Sequence, residues 1–139
     1  MYNDLIKTRI DYFAKEFNGE FNYKDNYFIK YFQSKKRNTD YAIVIYMDNN
    51  WSWLQLFSEE ERTATDDNPK SKKKWEQDNK DIEAWLKKHK LFDGFKQDEN
   101  GCWAKEFKFS EEENKLYEFT KKLIKCLEED VESIYNSGK

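Results

Sequence analysis

Three residues in the last third of the chain have the types and spacing of a metal-dependent hydrolytic site. Asp93 falls in one predicted strand, and Glu106 and Lys108 fall in the strand predicted to pair with it. Two carboxylates on adjacent strands can hold Mg²⁺, while a lysine beside them steadies a water that attacks a phosphodiester. These three residues are the candidate catalytic set in the sequence.

This D…ExK pattern is that of restriction-type nucleases, but a match to it is weak evidence because acid-x-Lys triplets are common in so charged a chain. The chain has 28 acidic and 25 basic residues, three of them arginine, so about four acid-x-Lys triplets are expected by chance. Three such triplets occur. Strand alternation also puts Glu106 and Lys108 together on one face, where a solvent-facing row of charges explains them. A nuclease is therefore kept only as an alternative.

No other pattern supplies catalytic, metal-binding or cofactor chemistry. His89 is the only histidine, and Cys102 and Cys126 fall in different predicted elements without CxxC spacing. The sequence also lacks a glycine-rich phosphate loop, a GxSxG elbow and an HExxH pair. We predict a protein with no metal site and no cofactor, and we expect it not to be an enzyme.

Apolar spacing and turn residues define the first half of the chain. An amphipathic helix is predicted near residues 3–18, followed by a short strand at 21–23 and a second strand at 27–33. The segment YAIVIYM at 41–47 is β-branched and aromatic, and Asp48-Asn49-Asn50 reverses it into WSWLQLF at 51–57. A β-meander is the result.

The second half returns to helices around another hairpin. A polar loop at 58–71, with room for one helical turn after Ser58, leads into a helix whose apolar face runs from Trp75 to His89. Strands at 91–96 and 102–109 are joined through Asn100-Gly101. Ser110 and Glu113 form a capping box at the start of a last, long helix.

This order, α-β-β-β-β-α-β-β-α, predicts an α+β fold as a single domain over residues 1–139. Short turns between consecutive strands require antiparallel pairing, so an antiparallel sheet of about six strands should pack against the helices. No apolar run is long enough to cross a bilayer and no secretory signal opens the chain, so we expect a cytoplasmic protein that does not bind a membrane.

Both faces of the predicted sheet are apolar. In the strand at 41–47, Val44 and Tyr46 point away from Ile45, and in the next strand Trp51 and Trp53 point away from Leu54. Either helices cover both faces, or one face is left open for a partner. We take the rings as candidate binding residues, namely Tyr46, Trp51, Trp53 and Trp103.

Charge is segregated along the chain although its net value is only −3. Lys70, Lys72, Lys73 and Lys74 stand at the predicted start of the second helix, where the helix dipole disfavours cations. They are therefore candidate contacts for phosphate or an acidic partner. The overall acidity, with a pI near 5.4, argues against direct nucleic-acid binding.

The last helix is predicted to extend past the body of the domain. About 26 residues at ~1.5 Å each span about 39 Å, more than the width of a small domain. Val131, Ile134 and Tyr135 continue its apolar face into that extension. Contact with a second copy of the chain, as in a homodimer, is one expected use of this end.

These patterns favour a non-enzymatic protein that binds another protein or protein complex. One form of this hypothesis is a small inhibitor (anti-defence) or immunity protein from a phage or other mobile element, which rests on small size and the lack of catalytic motifs. A competing hypothesis is a small-ligand binder. In it, Trp51, Trp53 and Trp103 form a cleft that stacks a nucleotide-like base while lysines hold its phosphate.

Overall fold

The computed structural model describes residues 2–108 and 111–139, with side chains from Asp4 onward. Within this part of the chain the helices and strands follow the predicted order, and the α+β class is confirmed. The helices are α1 (Tyr2–Phe17), α2 (Pro69–Lys88) and α3 (Glu113–Asp130). The strands are β1 (Glu20–Asn22), β2 (Tyr27–Ser34), β3 (Thr39–Met47), β4 (Trp51–Ser58), β5 (Phe95–Gln97) and β6 (Trp103–Lys108). Short 3-10 helices occupy Glu59–Thr63 and Val131–Ile134.

Asparagine and glycine in left-handed backbone conformations make the turns. Asn18, Asn26 and Asn38 have φ values of 54°, 56° and 61° after α1, between β1 and β2, and between β2 and β3. Asparagine tolerates this region better than most residues because its side chain bonds locally. Gly101 has a φ of 90° in the turn between β5 and β6, as the Asn100-Gly101 signal predicted.

The strands form one antiparallel sheet in the order β1-β2-β3-β4-β6-β5. The first four strands pair with their neighbours in sequence, as expected for a meander. After β4 the chain runs through α2 to β5 at the sheet edge, and β6 then returns to lie between β5 and β4. Its register sets Trp103 opposite Leu56 and Glu106 opposite Trp53.

All three helices cover one side of the sheet, which we call the inner face. One apolar core joins side chains of α1, α2 and α3 to Phe28, Ile43 and Leu54, all fully buried. Other fully buried core residues are Ile6, Ile10, Tyr41, Ile45, Leu56, Ile82, Trp85, Leu86, Leu116, Leu123, Leu127 and Ile134. The three described α-helices therefore cover only this face. On the opposite side, the outer face, the 3-10 helix Glu59–Thr63 lies against one end of the sheet, where Arg62 Nη2 donates to the Tyr31 hydroxyl at 3.4 Å.

The C-terminal end differs from the sequence prediction, because it folds back rather than extending past the domain. Helix α3 ends at Asp130, where the Trp85 indole N–H donates to the Asp130 carbonyl at 3.2 Å. The 3-10 helix that follows buries Ile134 completely. The backbone N–H groups of Asn136 and Gly138 then donate to the carboxylate of Asp81 on α2, at 3.1 and 2.9 Å. The extended helix end was a wrong prediction.

Two further expectations concern element starts. The predicted strand at 91–96 begins only at Phe95, and Asp93 lies in an exposed turn before it. Ser110 of the predicted capping box lies outside the described residues; Glu113 is the first residue of α3, and its carboxylate lies 3.1 Å from Arg9 Nε. Helix α2 begins at Pro69, with the Asn68 side chain accepting a hydrogen bond from the Ser71 N–H.

Candidate binding surface on the outer face of the sheet

The outer face carries a continuous set of rings and aliphatic side chains across β2, β3 and β4. Strand alternation places them there, and the register sets Tyr46 of β3 between Tyr27 and Trp53. The Tyr27 and Tyr46 rings meet edge to face with centroids 5.4 Å apart. The apolar members of this face are Tyr27, Ile29, Tyr31, Ala42, Val44, Tyr46, Trp51, Trp53 and Phe57.

These side chains pack against one another while their edges remain open to solvent. Ala42 and Val44, in the middle strand, are buried beneath the longer side chains on either side, whereas Tyr46 and Trp51 are 38% and 36% exposed. The Trp53 indole N–H donates to the Glu106 carboxylate at 3.2 Å, which fixes the orientation of its ring. The surface is therefore ordered and only partly covered.

A pocket of about 270 Å³ lies at one end of this face, between rings and carboxylates. Tyr46 and Phe57 come from the sheet, Glu61 from the 3-10 helix after β4, and Asp98 from the turn after β5. The turn hydrogen bonds position Asp98, since its Oδ1 accepts the N–H groups of Asn100 at 2.9 Å and Cys102 at 3.0 Å. Two distant segments thus bring acids to the aromatic strands.

The potential in this pocket is negative. Burial, then the neighbouring Tyr27 and the carboxylates of Glu61 and Asp25, raise the pKa of Tyr46. Burial, then Asp98 and Glu61, raise the pKa of the Cys102 thiol to about 12. No lysine or arginine lines the pocket within the described residues.

The structure brings together three of the four predicted ring residues. Tyr46, Trp51 and Trp53 share the outer face. Trp103 does not, because its partner Leu56 belongs to the inner face and its indole N–H donates to the Asn79 carbonyl of α2 at 2.9 Å. The cleft expected between Trp51, Trp53 and Trp103 is therefore not formed.

The predicted lysines lie on α2, in the helical layer. Lys70, Lys73 and Lys74 line a groove of about 720 Å³ that reaches Tyr135 and Lys139 at the C-terminal end of the chain. Lys72 does not line this groove, and its Nζ lies 2.5 Å from Asp66 Oδ1 instead. The basic groove is thus separate from the aromatic surface.

The candidate catalytic residues are spread over different surroundings. Asp93 is in a turn, Glu106 binds the Trp53 indole on the outer face, and Lys108 is exposed opposite Trp51. No group of three or more His, Cys, Asp or Glu side chains in the described residues is placed to hold a metal ion. This geometry gives the nuclease hypothesis no added support, and that hypothesis stays an untested prediction.

The sequence analysis did not identify the polar side chains that border the outer face and the groove beside α2. Arg37 donates to Asp78 at 2.8 Å and to Glu60 at 2.7 Å, which ties the β2–β3 turn to α2 and to the 3-10 helix after β4. The hydrogen bonds that Arg37 donates to Asp78 and Glu60 raise its pKa despite its burial. Neither this network nor the roles of Glu61 and Asp98 has a local signal, since each joins distant segments.

Comparison with known proteins identified no relative of this chain. No family model, curated protein or solved structure matches this chain. Among the described helices, none is long and apolar enough to cross a membrane.

Proposed function

We propose that this protein acts by binding another protein through the outer face of its sheet. The observation that carries this proposal is the set of ordered rings on a sheet face that no described α-helix covers, where Tyr46 and Trp51 remain exposed. Exposed clusters of apolar side chains bounded by polar groups mark interaction sites, and Trp and Tyr are the residues that most often dominate binding energy. An inhibitor or immunity protein works in this way, by occupying a surface of its partner.

Site-specific photo-crosslinking tests the proposal. A benzophenone amino acid at Trp53 should crosslink one partner protein in the native host, because that ring lies amid the exposed cluster. The matched control places the same group at Lys121, an exposed residue of α3. The proposal requires a crosslinked protein from position 53 that is absent from position 121. Crosslinks only from position 121 would contradict it.

A small anionic ligand in the groove beside α2 is a second candidate function. The observation in its favour is the groove itself, whose size of about 720 Å³ falls in the range of small-ligand sites and whose wall carries Lys70, Lys73 and Lys74. A thermal-shift screen with nucleotides tests it. A rise in Tm that Lys73→Ala and Lys74→Ala abolish would support this function, and no rise with any nucleotide would count against it.

A further inference from the structure

The charges around the outer face restrict the chemistry of its partner. Acidic side chains outnumber basic ones there, because strand alternation and the neighbouring turns bring carboxylates to the outer face from most of the chain. The acids are Glu20, Asp25, Asp40, Glu59, Glu61, Asp98 and Glu106, and the bases are Lys35, Arg62, Lys96 and Lys108. Arg62 is already engaged, with its Nε 3.0 Å from Glu59 Oε2.

The pocket of Tyr46, Phe57, Glu61 and Asp98 concentrates this charge beside two rings. An aromatic ring attracts a cation to its face, and a carboxylate attracts it more strongly where water is partly excluded. The carboxylate of Asp98 already accepts hydrogen bonds from the Gln55 side-chain amide at 2.5 Å and from two backbone N–H groups of the β5–β6 turn. Glu61 accepts no side-chain hydrogen bond in the described residues, so its charge is available to an incoming group.

We propose that the partner presents a basic side chain, arginine or lysine, that enters the pocket between Tyr46 and Phe57 and pairs with Glu61. This inference rests on the proposed function and names the partner's chemistry: a protein whose apolar contact surface is bordered by basic residues. A polyanion or a second outer face of this chain would bring like charges together, which disfavours both. Burial is the main cause of the raised pKa values of Tyr46 and Cys102, and the Glu61 carboxylate raises both further.

A titration followed by NMR tests the pocket without the partner. The probe is N-acetyl-L-arginine N-methylamide, and its control is the citrulline analogue, which has nearly the same shape but no charge. The arginine probe should shift the backbone amides of Tyr46, Glu61 and Asn100 saturably. The citrulline probe should bind about tenfold more weakly, since it lacks the ionic and cation–π contributions.

Variants assign the effect to Glu61. Glu61→Gln should weaken arginine binding by about threefold, as loss of one partly exposed charge pair implies. The matched control Glu59→Gln, in the same 3-10 helix but bound to Arg62, should leave it unchanged. Equal binding of arginine and citrulline, or no saturable shift with the arginine probe, would overturn the inference. So would shifts of the same amides caused by AMP or by raising the protein concentration alone.

The two proposals fail separately. A partner crosslinked from position 53 that contacts the pocket with acidic or uncharged residues would overturn the basic-partner inference and leave the proposed function standing. The absence of any crosslink specific to position 53 would overturn the proposed function, whatever the arginine probe does.

Discussion

At the scale of single residues, two acids accept backbone hydrogen bonds from distant segments of the chain. Asp81 on α2 is 1% exposed and accepts the N–H groups of Asn136 and Gly138 together with the Gln77 side-chain amide. A buried carboxylate with partners of this kind holds two chain segments in one geometry, and its removal leaves donors unpaired. Asp81 thus attaches the C-terminal end of the chain to the helical layer.

Replacement of this acid should therefore destabilise the fold. We expect Asp81→Ala to lower the free energy of unfolding by about 2–3 kcal/mol, because it leaves two backbone donors without partners. Urea denaturation followed by circular dichroism measures the change. Glu83→Ala on the same helix, which removes only a surface pair with Lys87, should cost less than about 0.5 kcal/mol. Equal effects of the two substitutions would disprove this role of Asp81.

Glu132, a partly exposed acid in the 3-10 helix after α3, also accepts backbone hydrogen bonds, and its pKa makes a pH effect testable. The N–H groups of Lys35 and Lys36 and the Ser34 hydroxyl lower the pKa of Glu132 in the folded protein. A lowered folded pKa means that the unfolded chain takes up the proton more readily. The stabilisation is thus complete above the unfolded value of about 4.3 and is lost as pH falls through the folded pKa.

We expect stability to fall less steeply between about pH 5 and pH 3 in Glu132→Gln than in the natural protein, because glutamine does not titrate. Chemical denaturation at a series of pH values gives both slopes. Glu128→Gln, an exposed acid of α3, is the control and should keep the natural slope. Identical slopes for all three proteins would show that Glu132 contributes nothing to the acid sensitivity.

At the scale of elements, the sequence predicted features that depend on neighbouring residues, but not those that depend on contacts between distant segments. The β3–β4 hairpin and the faces of its side chains were readable, because alternation in a strand has a fixed period and Trp51 and Trp53 follow it. Trp103 was misplaced because its face depends on how β6 pairs with β4, a contact between segments that α2 separates. The pocket acids Glu61 and Asp98 were missed for the same reason.

The last helix shows a related limit. Its apolar stripe continues to Ile134, which is why the sequence predicts one long helix. Helical spacing cannot show that hydrogen bonds with the Trp85 indole and the Asp81 carboxylate end the helix at Asp130 and hold the residues beyond it against α2. We expect Ile134→Ala to cost about 2–4 kcal/mol, because Ile134 is completely buried in the folded-back segment. Tyr135→Ala, at the next and exposed position, should cost much less. A thermal melt in which both variants match the natural protein would favour an extended helix end.

At the scale of the whole molecule, the two sides of the sheet are unlike. The inner face and the three helices bury one large aromatic core, while the outer face presents rings surrounded mainly by acids. The basic groove beside α2 lies in the helical layer. The charge blocks of the sequence are thus arranged in space as an acidic border around the aromatic outer face and a basic groove beside α2.

Hydroxyl-radical footprinting of the complex with the crosslinked partner tests the central claim most directly. This method measures how readily each ring is oxidised in the free and bound protein. We expect Tyr31, Tyr46, Trp53 and Phe57 to be protected on binding, while Tyr12 of α1, which is 51% exposed, keeps its reactivity. Protection of Tyr12 or Tyr135 with unchanged oxidation of the outer face would show that the partner docks on the helices and would contradict the claim.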